Sequence, residues 1–413
     1  MKKYILLMTF LFASSFFVDA QSVTEIFQKS KTINLVADDT YGTGNDWAKI
    51  FESYYDESGG MAIGLRKRLV IYDDGKAIVG HATRNQYSLF DSDGKFMKDI
   101  SLHFADPSRK PQNIKQAFGY INGLFFTQAN MMGDIYFFDG NGLIVKVIRI
   151  HYGTLDMLVL DDSHIAIYGS TSWGKKHRYF VSILDINTEK DTIIYDKFRD
   201  FSEFWDENGF TNASESRKRE MDFSINILKA DNRLIVSCPT ESTIKIFDFQ
   251  GNTISEQRCD WIQNYLSVEE QLNYQKERIS YLKECLSEVD EMTDNKYRER
   301  NIRSLNDLIS RYEKGLNEIK EPFGMGWFTI AISGGDNIFF FDEAKEAGEN
   351  SFHVYQVKNG KTISENTLKC NDYDLAITRR RLVFHNGYFY GIQELKQCEG
   401  NPLRLVRFKI EAE

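Results

Sequence analysis

Four acidic residues in long connecting segments are the first candidates for chemistry in this sequence. They are Asp106 in one segment and Glu203, Asp206 and Glu207 in another. Two carboxyl groups several ångströms apart can serve as acid and base in the cleavage of a glycosidic bond, and they can come from distant parts of a chain. Nothing in the surrounding sequence ranks these four above ordinary surface acids, so the catalytic residues stay unassigned.

A second group of candidates is aromatic. The segment DKFRDFSEFWDENGFTNASESRKREMDF at 196–223 sets five large rings between charged residues, namely Phe198, Phe201, Phe204, Trp205 and Phe210. Flat apolar rings can stack on a sugar or a peptide while polar neighbours fix the orientation of the ligand. The alternative is that these rings anchor a long loop onto its own domain.

A third group is cationic. The stretch SWGKKHRY at 172–179 contains Trp173, Lys175, Lys176, His177 and Arg178. The protein is acidic, with a formal net charge of −9, and a cationic cluster on it could select an anionic ligand. The alternative is a solvated loop tip. Together the aromatic and cationic groups give the predicted ligand-binding residues, which are Trp173, Lys175, His177, Arg178, Phe201, Phe204, Trp205 and Phe210.

The usual patterns of metal and nucleophile sites are missing from the sequence. Its seven histidines form no HExxH or HxH pattern and no zinc-like spacing with cysteine, and no Gly-x-Ser-x-Gly motif occurs. DSDG at 91–94 resembles the start of a calcium loop, but the later ligands and the distal Glu are missing, so we interpret it as a turn. We therefore expect no metal and no cofactor.

A repeated unit must position these candidates. The segments YSLFDSDGKFMKDI at 87–100, IYFFDGNGLIVKVI at 135–148 and IKIFDFQGNTISEQ at 244–257 share two apolar runs around a short polar turn. Along the chain, the repeat is anchored at Asp91, Asp139, Asp185, Asp248, Gln356 and Lys409. With a helical insertion at 264–321 set aside, six units of about 50 residues remain, which is the signature of a repeat architecture.

Each unit contains four short apolar runs separated by tight Asp-Gly or Asn-Gly turns. A four-stranded meander of this size cannot bury both faces alone, and radial stacking gives each copy a neighbour on either side. The sixth unit stops after its third strand, LRLVRFKI, and the isolated run KTINLVAD at 31–38 is the predicted donor of the missing strand. We therefore predict an all-β, six-bladed β-propeller closed by an N-terminal strand. The alternative is that 31–38 belongs to a different element.

With LFDSDGK, FFDGNG and IFDFQGN at this spacing, the chain resembles six-bladed β-propellers of the TolB-like and NHL-like kind, which are common among exported bacterial proteins. The resemblance covers about 32–258 and 327–413 and implies a fold much more than an activity, because the family includes binding scaffolds as well as hydrolases and lyases. Calcium-dependent lactonases with six blades use inward acids around the channel, and no residue here aligns with that role.

The long connections all belong to one class. In an up-and-down unit, the turns between strands one and two and between three and four lie at one end, and all other connections lie at the opposite end. The first class is tight here, whereas the second contains 39–66, 103–113, 172–178, 197–222, 259–326, 343–351 and 396–402. We place the functional face at the end with the long connections, since binding residues concentrate on such loops.

The longest connection is predicted to be helical. Apolar residues recur at helical spacing after a Ser267-x-x-Glu270 capping box, and a second apolar stripe runs from Ile302 to Ile319 before Pro322. This pattern predicts an antiparallel helical hairpin at 264–321. Two interpretations stay open: the stripes only pack against each other, or the hairpin stands over the functional face as a lid or a docking post for a partner.

The N-terminal residues MKKYILLMTFLFASSFFVDA are typical of a cleaved signal peptide at 1–20, with two lysines, an apolar run and a small residue at the cleavage point. The alternative is an uncleaved anchor, but the run is shorter than the ~20 residues that a spanning helix needs. No cysteine follows the cleavage point, so no lipobox is present. We expect a periplasmic or secreted protein whose domain covers 21–413.

The five cysteines are Cys238, Cys259, Cys285, Cys370 and Cys398. They are too few for a disulfide framework, and an odd count leaves at least one unpaired. Cys238 in the apolar run RLIVSC is predicted to be buried, and Cys370 could pair with Cys398.

Together these patterns predict an exported binding or scaffolding module that recognises a glycan, a peptide or a protein partner on the face with the insertions. The acidic composition argues against nucleic acid as a partner, and no later apolar stretch is long enough to span a membrane. The alternative function is a hydrolase or lyase that cleaves a polysaccharide or a lactone with acidic residues at the channel mouth. A third possibility is that the face docks onto a membrane complex.

Overall fold

A computed structural model gives the architecture of the chain after the predicted signal peptide. The described residues are 25–27, 29–51, 69–80, 86–103, 118–128, 133–173, 176–200, 205–206, 209–210, 225–230, 232–238, 243–258, 264–290, 295–317, 319–320, 323–325, 330–334, 337–343, 351–359, 361–370, 373–374, 382–395 and 403–412. The signal peptide predicted at 1–20 lies outside them.

The first strand of the chain is β1 (Thr32–Ala37), and four separate four-stranded antiparallel sheets follow it. The first sheet contains β2 (Leu69–Tyr72), β3 (Lys76–Gly80), β4 (Gln86–Phe90) and β5 (Phe96–Ser101). The second contains β6 (Phe118–Ile121), β7 (Leu124–Gln128), β8 (Ile135–Phe138) and β9 (Ile144–Ile148). The third contains β10 (Gly153–Val159), β11 (His164–Trp173), β12 (Lys176–Asp185) and β13 (Lys190–Asp200).

Short elements separate the third and fourth sheets and follow the fourth. The ribbon β14 (Trp205–Asp206) and β15 (Gly209–Phe210) precedes the fourth sheet, which contains β16 (Asn226–Ala230), β17 (Arg233–Cys238), β18 (Thr243–Phe247) and β19 (Thr253–Arg258). A second ribbon consists of β20 (Asn264–Leu266) and β21 (Phe323–Met325). The short helix α1 (Trp47–Ile50) lies between β1 and β2.

The remaining strands form one nine-stranded sheet. They are β22 (Ile330–Gly334), β23 (Asn337–Glu343), β24 (Ser351–Lys358), β25 (Lys361–Lys369), β26 (Tyr373–Asp374), β27 (Leu382–His385), β28 (Tyr388–Leu395), β29 (Leu403–Ala412) and the N-terminal β1. Strand β1 pairs antiparallel with β29, from Ile33 opposite Ala412 to Ala37 opposite Phe408. The pairing of 31–38 with the last strand is thus present, as the sequence predicts.

The last two predicted units are not separate sheets, because β1 is hydrogen-bonded along both of its edges. Its second edge pairs in parallel with β25, from Thr32 opposite Thr367 to Asn34 opposite Lys369. This contact joins the meander β22–β25 to the strands β27–β29 in one hydrogen-bonded sheet. The repeat shows where strands occur but not that an edge strand is shared.

The sheets pack face to face in chain order, and the series closes on itself. Tyr87 of the first sheet stacks on Phe118 of the second, with ring centroids 5.2 Å apart, and similar apolar clusters lie between each later pair of neighbours. The last cluster joins Leu405 of β29 to Leu69 of the first sheet. The innermost strands contact in the same cyclic order, β2, β6, β10, β16, β22, β27 and back to β2. The fold is therefore an all-β propeller.

The repeated Asp-x-x-Gly is a hydrogen-bonded turn between the third and fourth strands. The carboxylate of Asp91 accepts the backbone N–H of Asp93 at 3.0 Å and of Lys95 at 2.8 Å, and Asp139 and Asp248 make the same two contacts in their sheets. These contacts define Asx turns. The DSDG segment is a turn, as the sequence analysis interprets it.

The outermost strand of one sheet contacts the Asp-x-x-Gly turn of the next. After β5, the N–H of His103 donates to the carbonyl of Gly142 in the second sheet at 2.8 Å. After β1, the N–H of Gly42 donates to the carbonyl of Asp93 in the first sheet at 2.7 Å. The segment after β1 therefore makes the same contact with the first sheet that the segment after β5 makes with the second. The N-terminal strand and the C-terminal strand together close the ring.

A partly buried ion pair lies at this closure. The guanidinium of Arg407 on β29 donates to Asp38 Oδ2 from Nη2 at 2.7 Å and from Nε at 3.1 Å, and from Nη1 to the carbonyl of Ser92 in the first sheet at 3.3 Å. The side chains are only 18% and 7% exposed. Arg407 also lies over the rings of Tyr41 and Tyr388, 4.8 and 5.1 Å from their centroids. Residues that follow the first strand and residues near the C-terminus thus share one polar contact with the first sheet.

The Asp38–Arg407 pair predicts acid lability. Burial alone would raise the pKa of Asp38, but hydrogen bonds from Thr40 and Arg407 outweigh it and lower the pKa from 3.8 to about 2. Because the folded-state pKa is depressed, this stabilisation is present above about pH 4 and is lost as the pH falls towards 2, with an amplitude of about 2 kcal/mol. Chemical denaturation at several pH values should show wild type losing more stability than Asp38→Asn over this interval. Equal losses in the two proteins would contradict the assignment.

The strand bounds confirm that long connections leave one end of the sheets. Turns between strands one and two and between three and four span no more than five residues, as in 73–75, 91–95 and 186–189. Every connection longer than five residues leaves from the opposite strand ends, including 201–225 and 259–329. In a propeller the innermost strands of all sheets run in the same direction along the central axis. The strand ends that carry the long connections therefore lie on one face of the ring.

Two long helices belong to the longest connection: α2 (Val268–Asp290) and α3 (Asn295–Leu316). The backbone N–H and hydroxyl of Ser267 both donate to the Glu270 carboxylate at 2.7 Å, and the Glu270 N–H donates back to the Ser267 hydroxyl at 3.2 Å. This is a reciprocal capping box. We call the two helices the helical pair.

The helical pair has a narrow apolar core. Its buried side chains are Ile279, Leu282 and Ile309, and four partly buried side chains pack against them, namely Leu286, Leu305, Tyr312 and Leu316. Gln275, near the start of α2, donates to the carbonyl of Tyr312, near the end of α3, at 2.8 Å. The helices therefore lie side by side in opposite directions.

Candidate functional site

The third sheet carries three unusually long strands at the end of the ring with the long connections. Strands β11, β12 and β13 have ten, ten and eleven residues, whereas the corresponding strands of the second sheet have five, four and five. We call the extra length the third-sheet tip, defined as 171–173, 176–178 and 198–200.

The prediction that 172–178 is a long loop is wrong. Ser172 pairs with His177 and Trp173 pairs with Lys176, so SWGKKHRY is the end of a β-hairpin with only residues 174–175 between the strands. The segment predicted at 197–222 likewise begins later, because β13 continues to Asp200.

The tip brings together residues that the sequence analysis assigned to two different groups. Arg178 lies directly opposite Phe198 in the ladder between β12 and β13. Its guanidinium carbon is 5.0 Å from the Phe198 ring centroid and 5.5 Å from that of Phe180. Phe180 is buried, whereas the Phe198 side chain is 65% exposed, the highest exposure of any large apolar side chain among the residues that the structure describes. A guanidinium thus lies between a core ring and an open ring.

Arg178 is not a free cation. Its Nη2 donates to Asp196 Oδ2 at 2.7 Å, and both side chains are partly exposed. The predicted cationic cluster is therefore partly neutralised at this position, which weakens its use as an anion selector. Asp196 and Phe198 were not recognised together from the sequence, although their spacing of two places them on one face of a strand.

The other face of the tip is different. His177 stacks on Tyr179 with ring centroids 6.3 Å apart and ring planes 14° apart. Lys197, on the neighbouring strand, donates to Cys238 Sγ in the fourth sheet at 3.6 Å. Cys238 is buried, as predicted. This face is therefore tied to the next sheet, and the face with Phe198 is the one with an open aromatic surface.

The remaining predicted ligand-binding residues are only partly placed. Trp173 lies on β11, and the ribbon β14–β15 sets Trp205 opposite Phe210. Lys175, Phe201 and Phe204 lie outside the described residues.

The acidic candidates are placed less completely still. Asp206 is on β14, opposite Gly209, whereas Asp106, Glu203 and Glu207 lie outside the described residues, as do Cys259 and Cys398. The glycosidase hypothesis and the pairing of Cys370 with Cys398 therefore stay predictions.

Within the described part of the chain, no three His, Cys, Asp or Glu side chains are grouped closely enough to hold a metal ion. The described helices also include none that is both long and apolar enough to cross a membrane.

No protein-family model matches the sequence, and no curated protein matches it. Among solved structures, the chain is similar to a member of the DUF4221 family from Bacteroides vulgatus, with 12% identity, a TM-score of 0.48 and coverage of 93% of this chain and 100% of that one. It is also similar to an exported-protein candidate from Bacteroides fragilis, with 10% identity, a TM-score of 0.42 and coverage of 92% and 95%. BamB from Moraxella catarrhalis has 12% identity, a TM-score of 0.34 and coverage of 85% and 84%.

Proposed function

We propose that this chain is an exported, six-bladed β-propeller that works as a binding module, with its partner held at the end of the ring that bears the long connections. The observation that carries the proposal is the exposed ring of Phe198, which is held over the Arg178 guanidinium. The signal-peptide pattern at 1–20 supports export. The cyclic series of sheet-to-sheet cores supports six blades, with β22–β25 as the fifth and β27–β29 plus β1 as the sixth.

The Phe198 surface is organised before any ligand arrives. The ion pair to Asp196 and packing against the buried Phe180 ring favour the position of Arg178 beside Phe198, which lowers the ordering cost on binding. A guanidinium over an aromatic face also contributes about 0.5–1 kcal/mol at a partly exposed site. The ring therefore offers a fixed, flat, apolar surface to solvent.

The chemistry at the tip suits an extended glycan or peptide chain. An open aromatic ring can stack on a sugar face or on an apolar side chain, while Asp196 and Arg178 supply a hydrogen-bond acceptor and donors beside it. We propose that this surface is extended by Trp173, Lys175, His177, Phe201, Phe204, Trp205 and Phe210. They belong to the tip, to the two-residue turn of its hairpin or to the connection that follows β13.

Replacing Phe198 with alanine should weaken binding by about tenfold or more, because the loss of one stacked ring at a binding centre costs about 1.4 kcal/mol or more. Arrays of glycans and of peptides would first identify a ligand for the mature protein, and isothermal titration calorimetry would then compare the variants. The matched control is Ile363→Ala, which removes an exposed apolar side chain from β25 beside the short turn after β24.

The expected result is a loss of affinity in Phe198→Ala and none in Ile363→Ala, with both variants unfolding at the wild-type denaturant concentration. Equal affinity in the two variants would reject the third-sheet tip as the binding surface. Failure of the wild type to bind any member of either array would reject the glycan and peptide classes.

A further inference from the structure

We propose that the helical pair joins two copies of this chain, through one broad face on which α2 of one copy lies over α3 of the other. The inference is independent of the ligand proposed for the third-sheet tip. It rests on the side chains that α2 and α3 leave exposed, on the opposite charges of the two helices and on the area that they offer.

The exposed apolar side chains of the helical pair concentrate on one face. Tyr274, Arg278, Tyr281 and Cys285 recur at intervals of four, three and four residues, so they form a stripe along one flank of α2. Tyr274 and Tyr281 are 49% and 53% exposed, and the Arg278 guanidinium lies 5.4 Å from the Tyr281 ring centroid. This flank is separate from the seam that holds Ile279 and Leu282.

The helical period places the exposed Leu308 of α3 on the same face. An ion pair between Lys283 and Glu313, at 2.8 Å, bridges the two helices on the opposite face. Relative to the seam, Leu308 lies on the flank of α3 away from Glu313, and Tyr274 and Tyr281 lie on the flank of α2 away from Lys283. One face of the helical pair is therefore aromatic and apolar, whereas an ion pair connects the two helices on the other face.

The charges of the two helices select a second copy as the occupant of the aromatic face. Helix α2 has six carboxylates against three cations, a net charge of −3, whereas α3 has six cations against three carboxylates, a net charge of +3. A two-fold axis parallel to the helices places α2 of each copy over α3 of the other, so that both cross-copy contacts join helices of opposite net charge. The result is a four-helix bundle in which neighbouring helices have opposite net charge, and the two-fold symmetry closes it at two copies.

The available area matches what a stable dimer needs. A helix of 23 residues is roughly 34 Å long, and two helices side by side are roughly 20 Å wide, which gives about 700 Å² for each copy. Standard interfaces bury about 800 Å² on each partner. The seam between the two helices has three buried apolar side chains, with four partly buried ones packed against them.

Sedimentation velocity of the mature full-length chain, from about 1 to 100 µM, tests the proposal. We expect a dimer in the wild type that dissociates more readily as the salt concentration rises. We also expect Tyr274→Ser combined with Tyr281→Ser to raise the dissociation constant at least tenfold. The matched control combines Asn273→Ala with Ser280→Ala, which changes two exposed positions on the side of α2 away from the seam.

Far-ultraviolet circular dichroism of both double variants establishes that α2 and α3 remain folded. A protein with Tyr274→Phe and Tyr281→Phe keeps both aromatic rings and should dimerise like the wild type. If the serine variant unfolds, this variant still tests whether the rings form the contact. A monomeric wild type at 100 µM would overturn the proposal. A dimer that the serine variant leaves unchanged would also overturn it, because the contact would then use another surface.

Discussion

Arg407→Ala is expected to lower the free energy of unfolding by about 2–3 kcal/mol, because it leaves the partly buried carboxylate of Asp38 without its charged hydrogen-bond partner. Asp38 is 7% exposed, and Arg407 supplies two of its hydrogen bonds. The substitution also removes the contact with the Ser92 carbonyl and the packing on Tyr41 and Tyr388. Urea denaturation monitored by tryptophan fluorescence gives the measurement.

Arg149→Ala is the matched control for this prediction. Arg149 also forms an ion pair, with Asp134 at 3.5 Å, but its side chain is 74% exposed. An exposed pair of this kind contributes about 0–1 kcal/mol. If Arg407→Ala does not fold, Arg407→Lys keeps the charge but loses the two-pronged contact, and we expect it to fold with an intermediate loss. Losses of the same size in Arg407→Ala and Arg149→Ala would show that the ring is not held by this pair.

Gly142→Ala is expected to destabilise the protein by about 2–5 kcal/mol or to prevent folding, since a left-handed alanine and an overpacked contact each cost about 1–3 kcal/mol. Gly142 has a φ of +78°, and a Cβ built there would lie 2.0 Å from the carbonyl oxygen of Ser101. That oxygen belongs to the backbone of β5, so it cannot swing away as a side chain could. The contact is also the place where the first sheet meets the turn of the second.

Gly123→Ala separates the two contributions. Gly123 has nearly the same φ, +80°, but a Cβ built there meets nothing within 4 Å. We expect a loss of about 1–2 kcal/mol from the backbone conformation alone. The measurement is the same urea denaturation series. If Gly142→Ala and Gly123→Ala lose equal stability, the tight contact between the two sheets is not required.

The candidate site was predicted in parts. Arg178 and the aromatic segment around Phe198 were both predicted from the sequence, but as parts of two different loops, with Arg178 in a cationic cluster. Arg178 and Phe198 are 20 positions apart in the chain, and only the register between β12 and β13 sets them opposite each other. A shift of one residue would turn one of them to the other face, so spacing along the chain cannot reveal the pair.

The sequence by itself determined the strands, the turns and the end of the ring that bears long connections. The carboxylates of Asp91, Asp139 and Asp248 each accept a hydrogen bond from a backbone N–H four residues later. Because the Asp and its turn are neighbours in the chain, the turn is visible as a short sequence pattern. The capping box at Ser267 and Glu270 is local in the same way. Local hydrogen bonds depend on neighbouring residue types, and those are what a sequence displays.

Only the tertiary structure decided how the ring closes and what neutralises its charges. Asp38 and Arg407 are 369 positions apart, and β1 uses both of its edges, one for β29 and one for β25. The strand pairings of β1 and the ion pair between Asp38 and Arg407 depend on which strand edges lack hydrogen-bond partners, and which charges lack counter-charges, once the sheets have formed. An unpaired strand edge or a buried carboxylate is costly whatever its neighbours in the chain are, so the partner is set by position in space.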